Sequence, residues 1–135
     1  MIRSSEDGTP VLDLRTYKLA PGGRGEFERI FREGALPMLV RYRIEVIGYG
    51  PSFADDAYYY LARAFPSVSA REEQLGSFYG SAEWKQNYQA VVAELIETYH
   101  TVVIPGTSGI AEELKAAATS VGTDLSRRPG VRVRR

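Results

Sequence analysis

Hydrophobic and polar positions change period several times along the chain, and each change marks an element. From Val11 to Leu19 they alternate, which is the period of a strand. The alternation sets Leu12, Leu14 and Thr16 on one face and Asp13, Arg15 and Tyr17 on the other. The apolar set is expected to pack on helices and the polar set to point away from them. Pro21-Gly22-Gly23 then make a turn, and the spacing switches to threes and fours at Phe27, Ile30, Phe31, Gly34 and Met38, the stripe of a helix. Pro37 is expected to kink or end it.

Strand patterns return at residues 44–49 and 57–65, joined by a polar loop containing Asp55 and Asp56, which read as solvated turn residues. Ser69 and Glu72 have the spacing of a helix capping box. Ser81 is placed to cap a further helix whose stripe is Trp84, Tyr88, Val91/Val92 and Leu95. Residues 98–104 are rich in β-branched side chains and read as a fourth strand. The order β-α-β, β-α-β predicts an α+β fold: a ferredoxin-like βαββαβ domain, with a four-stranded antiparallel sheet and its helices on one face. The domain is expected over residues 10–105, after a disordered stretch 1–9. A C-terminal helix is expected over 106–121 and a basic disordered tail over 122–135.

With 135 residues the chain suffices for one domain and a modest core. It has no cysteine and a single histidine, His100, so disulfides and thiolate chemistry are excluded and neither a metal nor a cofactor is expected. No apolar run reaches the length of a membrane span. Nothing in MIRSSEDGTP resembles the apolar core of a signal peptide, so a cytoplasmic location is the expectation. The net charge of zero conceals five arginines among the last nine residues, which leaves the rest of the chain acidic. An acidic body argues against a nucleic-acid partner.

His100 is the candidate catalytic residue, since a general base or metal ligand would need it. Asp13, Arg15, Tyr17 and Arg63 are the candidate substrate-binding residues. A guanidinium on the polar face of the first strand either pairs with Asp13 or a partner's acid, or holds a carboxylate or phenolate ligand bidentately. Nine tyrosines, three of them consecutive at 58–60, suit a sheet-packing or dimer surface better than an aromatic ligand box. Apolar groups on the sheet face without helices call for a cover, and a second copy of the chain is the simplest one. Pro21-Gly22-Gly23-Arg24-Gly25 lacks both the dinucleotide and the phosphate-loop patterns and reads as a turn.

Leu14-Arg15-Thr16-Tyr17-Lys18-Leu19-Ala20-Pro21-Gly22 resembles the opening of NIPSNAP-family domains, which read E-L-R-x-Y-x-L-x-P-G. Phe27 matches their first helix, and Ser81-Ala82-Glu83-Trp84 is similar to the family's D-P-E-W helix start. Asp13 stands where the family has Glu, and Ala62-Arg63-Ala64 lacks its third-strand tryptophan. The resemblance covers about residues 11–105 and implies a dimeric α/β barrel in which two sheets pair face to face. It implies no particular activity, although related barrels include cofactor-free monooxygenases, haem-degrading enzymes and small isomerases. The reading is therefore a cytoplasmic homodimer with a small-molecule pocket, between sheet and helices or at the dimer centre, suited to an aromatic or carboxylate ligand. The alternatives are a cofactor-free monooxygenase or isomerase acting on an aromatic or polyketide-like metabolite, and a non-catalytic protein-interaction module.

Overall fold

The computed structural model describes residues 8–106 and 108–127. Four strands, β1 (Val11–Leu19), β2 (Glu45–Pro51), β3 (Tyr58–Phe65) and β4 (Ile96–Pro105), form one antiparallel sheet in the order β2-β3-β1-β4. β1 and β3 are central and largely buried, whereas β4 is a long edge strand, mostly exposed. The helices between β1 and β2 and between β3 and β4 lie on the same face, as the element order requires.

The turn after β1 is closed by the Gly23 N–H donating to the Ala20 carbonyl at 2.9 Å. Pro21 and Gly22 fill its central positions, and Gly22 has the left-handed φ of +76° that only glycine takes without strain. The first helical stretch runs through α1 (Arg24–Ile30), a π-turn (Phe31–Ala35) and α2 (Leu36–Arg41) without a break. Pro37 does not end it. Proline has no N–H to offer, and the widened turn, in which Leu36 N–H reaches back to the Phe31 carbonyl, carries the chain past it. The stretch closes on Arg43, whose φ is +64°.

α3 (Val68–Tyr79) is capped by Ser67 and not by Ser69: Ser67 is extended, and its Oγ accepts from the Ala70 N–H at 3.0 Å. Ser69 lies within the first turn, so the spacing to Glu72 caps nothing. Ser81 does cap α4 (Ala82–Asn87), accepting from the Trp84 N–H at 3.1 Å. The stripe from Trp84 to Leu95 is divided at Tyr88, whose φ of −130° and ψ of −32° leave the helical region and start α5 (Gln89–Leu95). α6 (Ser108–Arg127) extends past the expected Val121. Residues 1–7 and 128–135, which include most of the expected terminal segments, lie outside the described residues.

The main core fills the space between sheet and helices. Phe27 packs edge-on against Tyr59 and stacks with Phe31, with Met38, Leu39, Leu61 and Phe78 around them. A smaller core of Leu12, Ile47 and Ala62 sits on the opposite face, where Ala111 of α6 covers part of it. In the loop before β3, Asp55 accepts from the Ala57 N–H and Asp56 pairs with Arg24 at 3.4 Å, both acids exposed. They are turn residues, as the sequence suggests.

Candidate functional site

Strand register builds the candidate site. Residues opposite one another in an antiparallel ladder share a face. Asp13 lies opposite Arg63 on β3, Arg15 opposite Thr101 on β4, and Tyr17 between Tyr59 and Tyr99. The face these rows occupy is the one under the helices, so the facing expected of β1 is inverted. Asp13, Arg15 and Tyr17 point toward the helices, and Leu12, Leu14 and Thr16 point away. Alternation separates two faces but does not say which one the helices cover. Here the covered face also carries Val11, Tyr17 and Leu19, which join Tyr59, Leu61 and Phe65 in the main core, and its charges find partners there.

Asp13 and Arg63 are both 0% exposed. Arg63 Nη2 donates to Asp13 Oδ1 at 3.1 Å, and Arg71 Nε, from α3, donates to Asp13 Oδ2 at 2.7 Å. Arg63 Nη1 also donates to the Tyr79 hydroxyl at 3.1 Å. Burial opposes the charge on Arg63, yet Tyr79, Asp13 and Tyr17 together hold its guanidinium above the ordinary value. Its Nε is buried without a hydrogen-bond partner. Arg15 Nε donates to Thr101 Oγ1 at 2.9 Å, and its Nη1 reaches the Tyr79 hydroxyl at 3.5 Å. The Arg15 guanidinium lies 5.0 Å from the centre of the Tyr99 ring and 5.9 Å from that of Tyr79, a cation held between two aromatic faces.

Three guanidiniums thus converge where the structure supplies one carboxylate among the described residues. Tyr79 accepts from two of them. With its lone pairs so engaged, its hydroxyl can offer a ligand only a proton. Burial first, and then the neighbouring Tyr79, push the Tyr17 hydroxyl up to about 12, so Tyr17 stays a neutral donor.

Beside this cluster lies a cavity of about 30 Å³ between sheet and helices. Its walls are apolar: Phe27, Phe31, Leu61 and Phe78 on one side, Trp84, Val92 and Ile96 on the other, with Tyr17 and Tyr79 as the polar corner. Tyr79, Arg71 and Thr101 are site residues that sequence reasoning missed. Arg71, Leu75 and Tyr79 recur at helical spacing on α3, a signal that could have placed the first and last on one face. His100 is not part of the group. It sits opposite Thr16 on exposed β4, on the face away from the helices. Among the described residues no group of three His, Cys, Asp or Glu side chains could hold a metal ion. None of their helices is long and apolar enough to cross a membrane.

A four-stranded antiparallel sheet in this order, with α1–α5 on one face and a buried polar cluster between the layers, defines a ferredoxin-like α+β domain. The sequence narrows this further, since the NIPSNAP family model matches residues 12–108. The chain belongs to the NIPSNAP family. Among solved structures it is similar to an uncharacterised NIPSNAP-like domain protein from Burkholderia xenovorans, with 16% identity, 75% of this chain and 88% of that one covered, and a TM-score of 0.68. A NIPSNAP family protein from Agrobacterium tumefaciens gives 19% identity, 74% and 88% coverage, and a TM-score of 0.68. A putative antibiotic biosynthesis monooxygenase from Nitrosomonas europaea shares the fold at 14% identity and a TM-score of 0.58, with 75% of this chain and 93% of that one covered. No curated protein matches the chain.

Proposed function

We propose that the protein is a homodimeric α/β-barrel member of the NIPSNAP family that binds a small aromatic ligand carrying a carboxylate or phenolate. The site is the space between sheet and helices. One observation carries this reading: Tyr17 and Tyr79 line a mainly apolar cavity, and Arg15 and Arg63 both donate to the Tyr79 hydroxyl. An apolar body would lie against Phe27, Phe31 and Trp84, and its acidic group would turn toward Tyr79 and Arg15. Small-molecule sites generally enclose about 300 Å³ or more, so binding requires the cavity to widen.

Calorimetry and thermal shift with benzoate, salicylate and 1-naphthoate test the site, with naphthalene methanol as the uncharged control. Binding of the acids and not of the alcohol is expected. Arg15→Ala, which removes a charge-assisted partner, should weaken it by roughly 10- to 100-fold. Equal binding of acid and alcohol, or no effect of Arg15→Ala on the acids, would refute the reading.

Dimerisation is supported by the sheet face that α6 covers only in part and by the sheet edge. Tyr58 and Val102 are exposed on the face opposite α1–α5, and β4 presents an unpaired edge.

A second reading, a cofactor-free monooxygenase or isomerase, draws on the likeness to the Nitrosomonas protein. Substrate-dependent oxygen uptake on a panel of polyphenols would support a monooxygenase. Against it, no described wall residue of the cavity is a ready base. A protein-interaction module would instead leave every small acid unbound.

A further inference from the structure

The cavity described above is too small for an organic ligand, and one segment of its wall is held by few buried residues. Residues 82–95, helices α4 and α5 with Tyr88 between them, contribute Trp84, Tyr88 and Leu95 to the packing against the core, yet neither helix contains a fully buried residue. The segment is divided at the non-helical Tyr88, and it follows Gly80 and Ser81 at the end of α3. Such a stretch, short in buried contacts and broken in its hydrogen-bond ladder, belongs to the low-stability end of a fold.

Two contacts fasten it across the first helical stretch. Tyr88 lies on Gly34 so closely that a Cβ added there would come within 2.4 Å of the Tyr88 ring. Gly34 belongs to the π-turn, and the same turn supplies Phe31 and Ala35 to the cavity wall. Glu83 receives two hydrogen bonds from Arg41, at 3.1 and 2.8 Å. The far end is fixed: the Leu95 carbonyl accepts from the Ala20 N–H at 2.9 Å, and the chain passes directly into β4.

From these features we propose that residues 82–95 are a strap that opens the cavity to ligand, swinging from the Gly80 end and latched by Tyr88 on Gly34 and by Glu83 on Arg41. The inference rests on the reading of the cavity as a ligand site. It adds the means by which a space of about 30 Å³ widens to admit one.

Two variants loosen the latch without touching the wall. Gly34→Ala displaces the Tyr88 ring, while alanine itself favours the helical backbone. Arg41→Gln removes the tie to Glu83. Amide hydrogen exchange on the full-length chain measures the opening, and acrylamide quenching of Trp84, the single tryptophan, measures access to the cavity. In the unmodified protein the strap amides should exchange at least about ten-fold faster than those of β1 and β3, the ratio that the loss of one contact of ordinary size sets. Gly34→Ala should raise strap exchange and Trp84 quenching by about ten-fold again, and Arg41→Gln by about two- to five-fold, with β1 and β3 unchanged.

Strap amides that exchange together with β1 and β3, or quenching indifferent to both variants, would overturn the proposal. The association rate of 1-naphthoate separates it from the ligand reading. If the strap opens as described but naphthoate binds to no variant, the strap stands and the ligand assignment falls. If naphthoate binds at a rate that neither variant alters, the ligand assignment stands and the strap falls.

Discussion

Replacing Asp13 with Asn tests whether the buried charge cluster holds the two layers together. The carboxylate serves two arginines at once, Arg63 at 3.1 Å and Arg71 at 2.7 Å. An amide of the same shape can accept through its one oxygen only, and its NH₂ group would confront the N–H of the second arginine. The charge left behind matters more. Arg63 is 0% exposed and would keep its cation with no acid beside it. Removing one partner of a buried pair costs about 3–5 kcal/mol. The Arg71 contact adds less to this, because its side chain is 19% exposed and water screens it. Against a typical total stability of about 5–15 kcal/mol, Asp13→Asn should lower Tm by roughly 10–20 °C. Urea titration followed by circular dichroism measures the loss, with an unchanged slope showing that the same surface unfolds. The double variant Asp13→Leu/Arg63→Met should recover most of it, since an apolar pair of similar volume needs no desolvated charges. A cost below about 1 kcal/mol for Asp13→Asn, or no recovery in the double variant, would refute the account of the cluster as mutually dependent charges.

Arg43→Gly should stabilise the protein by about 0.5–1 kcal/mol in the same titration, because Arg43 is exposed at a φ of +64° that favours glycine. Gly106→Ala should destabilise it by roughly 1–3 kcal/mol, since a Cβ there would lie 2.6 Å from Leu12 Cγ and 3.1 Å from its backbone nitrogen. Alkaline stability should fall once the pH passes about 10. The Tyr17 hydroxyl titrates near 12 in the folded protein, so the unfolded chain loses that proton first and is favoured by up to about 1.4 kcal/mol per pH unit. Tyr59, raised by burial and then by Glu28, acts in the same sense. Tyr17→Phe should flatten the decline between pH 10 and 12, and an unaltered slope would contradict the burial of that hydroxyl. Light scattering at micromolar concentration should return about twice the 15.0 kDa chain mass, and a monomer would remove the barrel from the proposal.

What the sequence determined by itself is the set of elements and their order. The alternation of β1, the Pro21-Gly22-Gly23 turn, the stripe of the first helix and the aromatic third strand are local patterns, and local sterics and periodicity decide them. Pro37 and Tyr88 mark the limit of that reasoning. A proline inside a helix can be accommodated by a π-turn, and an unbroken apolar stripe can be folded in two, when neighbouring layers bury both parts. The capping box shows the same limit: Ser67 and Ser69 are both plausible caps by type, and the position of the chain leaving β3 selects the first.

The candidate site divides in the same way. Asp13, Arg15, Tyr17 and Arg63 were legible as polar residues on strands that ought to be half buried. Which face they occupy was not, because alternation is symmetric between the two faces of a sheet. Register across β1 and β3 placed Asp13 opposite Arg63, on the face where Val11, Tyr17, Leu19, Tyr59, Leu61 and Phe65 build the main core under the helices. Tyr79 and Arg71, far along the chain on α3, joined the cluster only through packing. His100, prominent as the single histidine, fell on the opposite face because β4 pairs it with Thr16. Sequence fixes what each strand can offer on its two sides, but partner, register and covering layer are long-range choices, settled by which arrangement buries the apolar side chains while leaving the buried charges with partners.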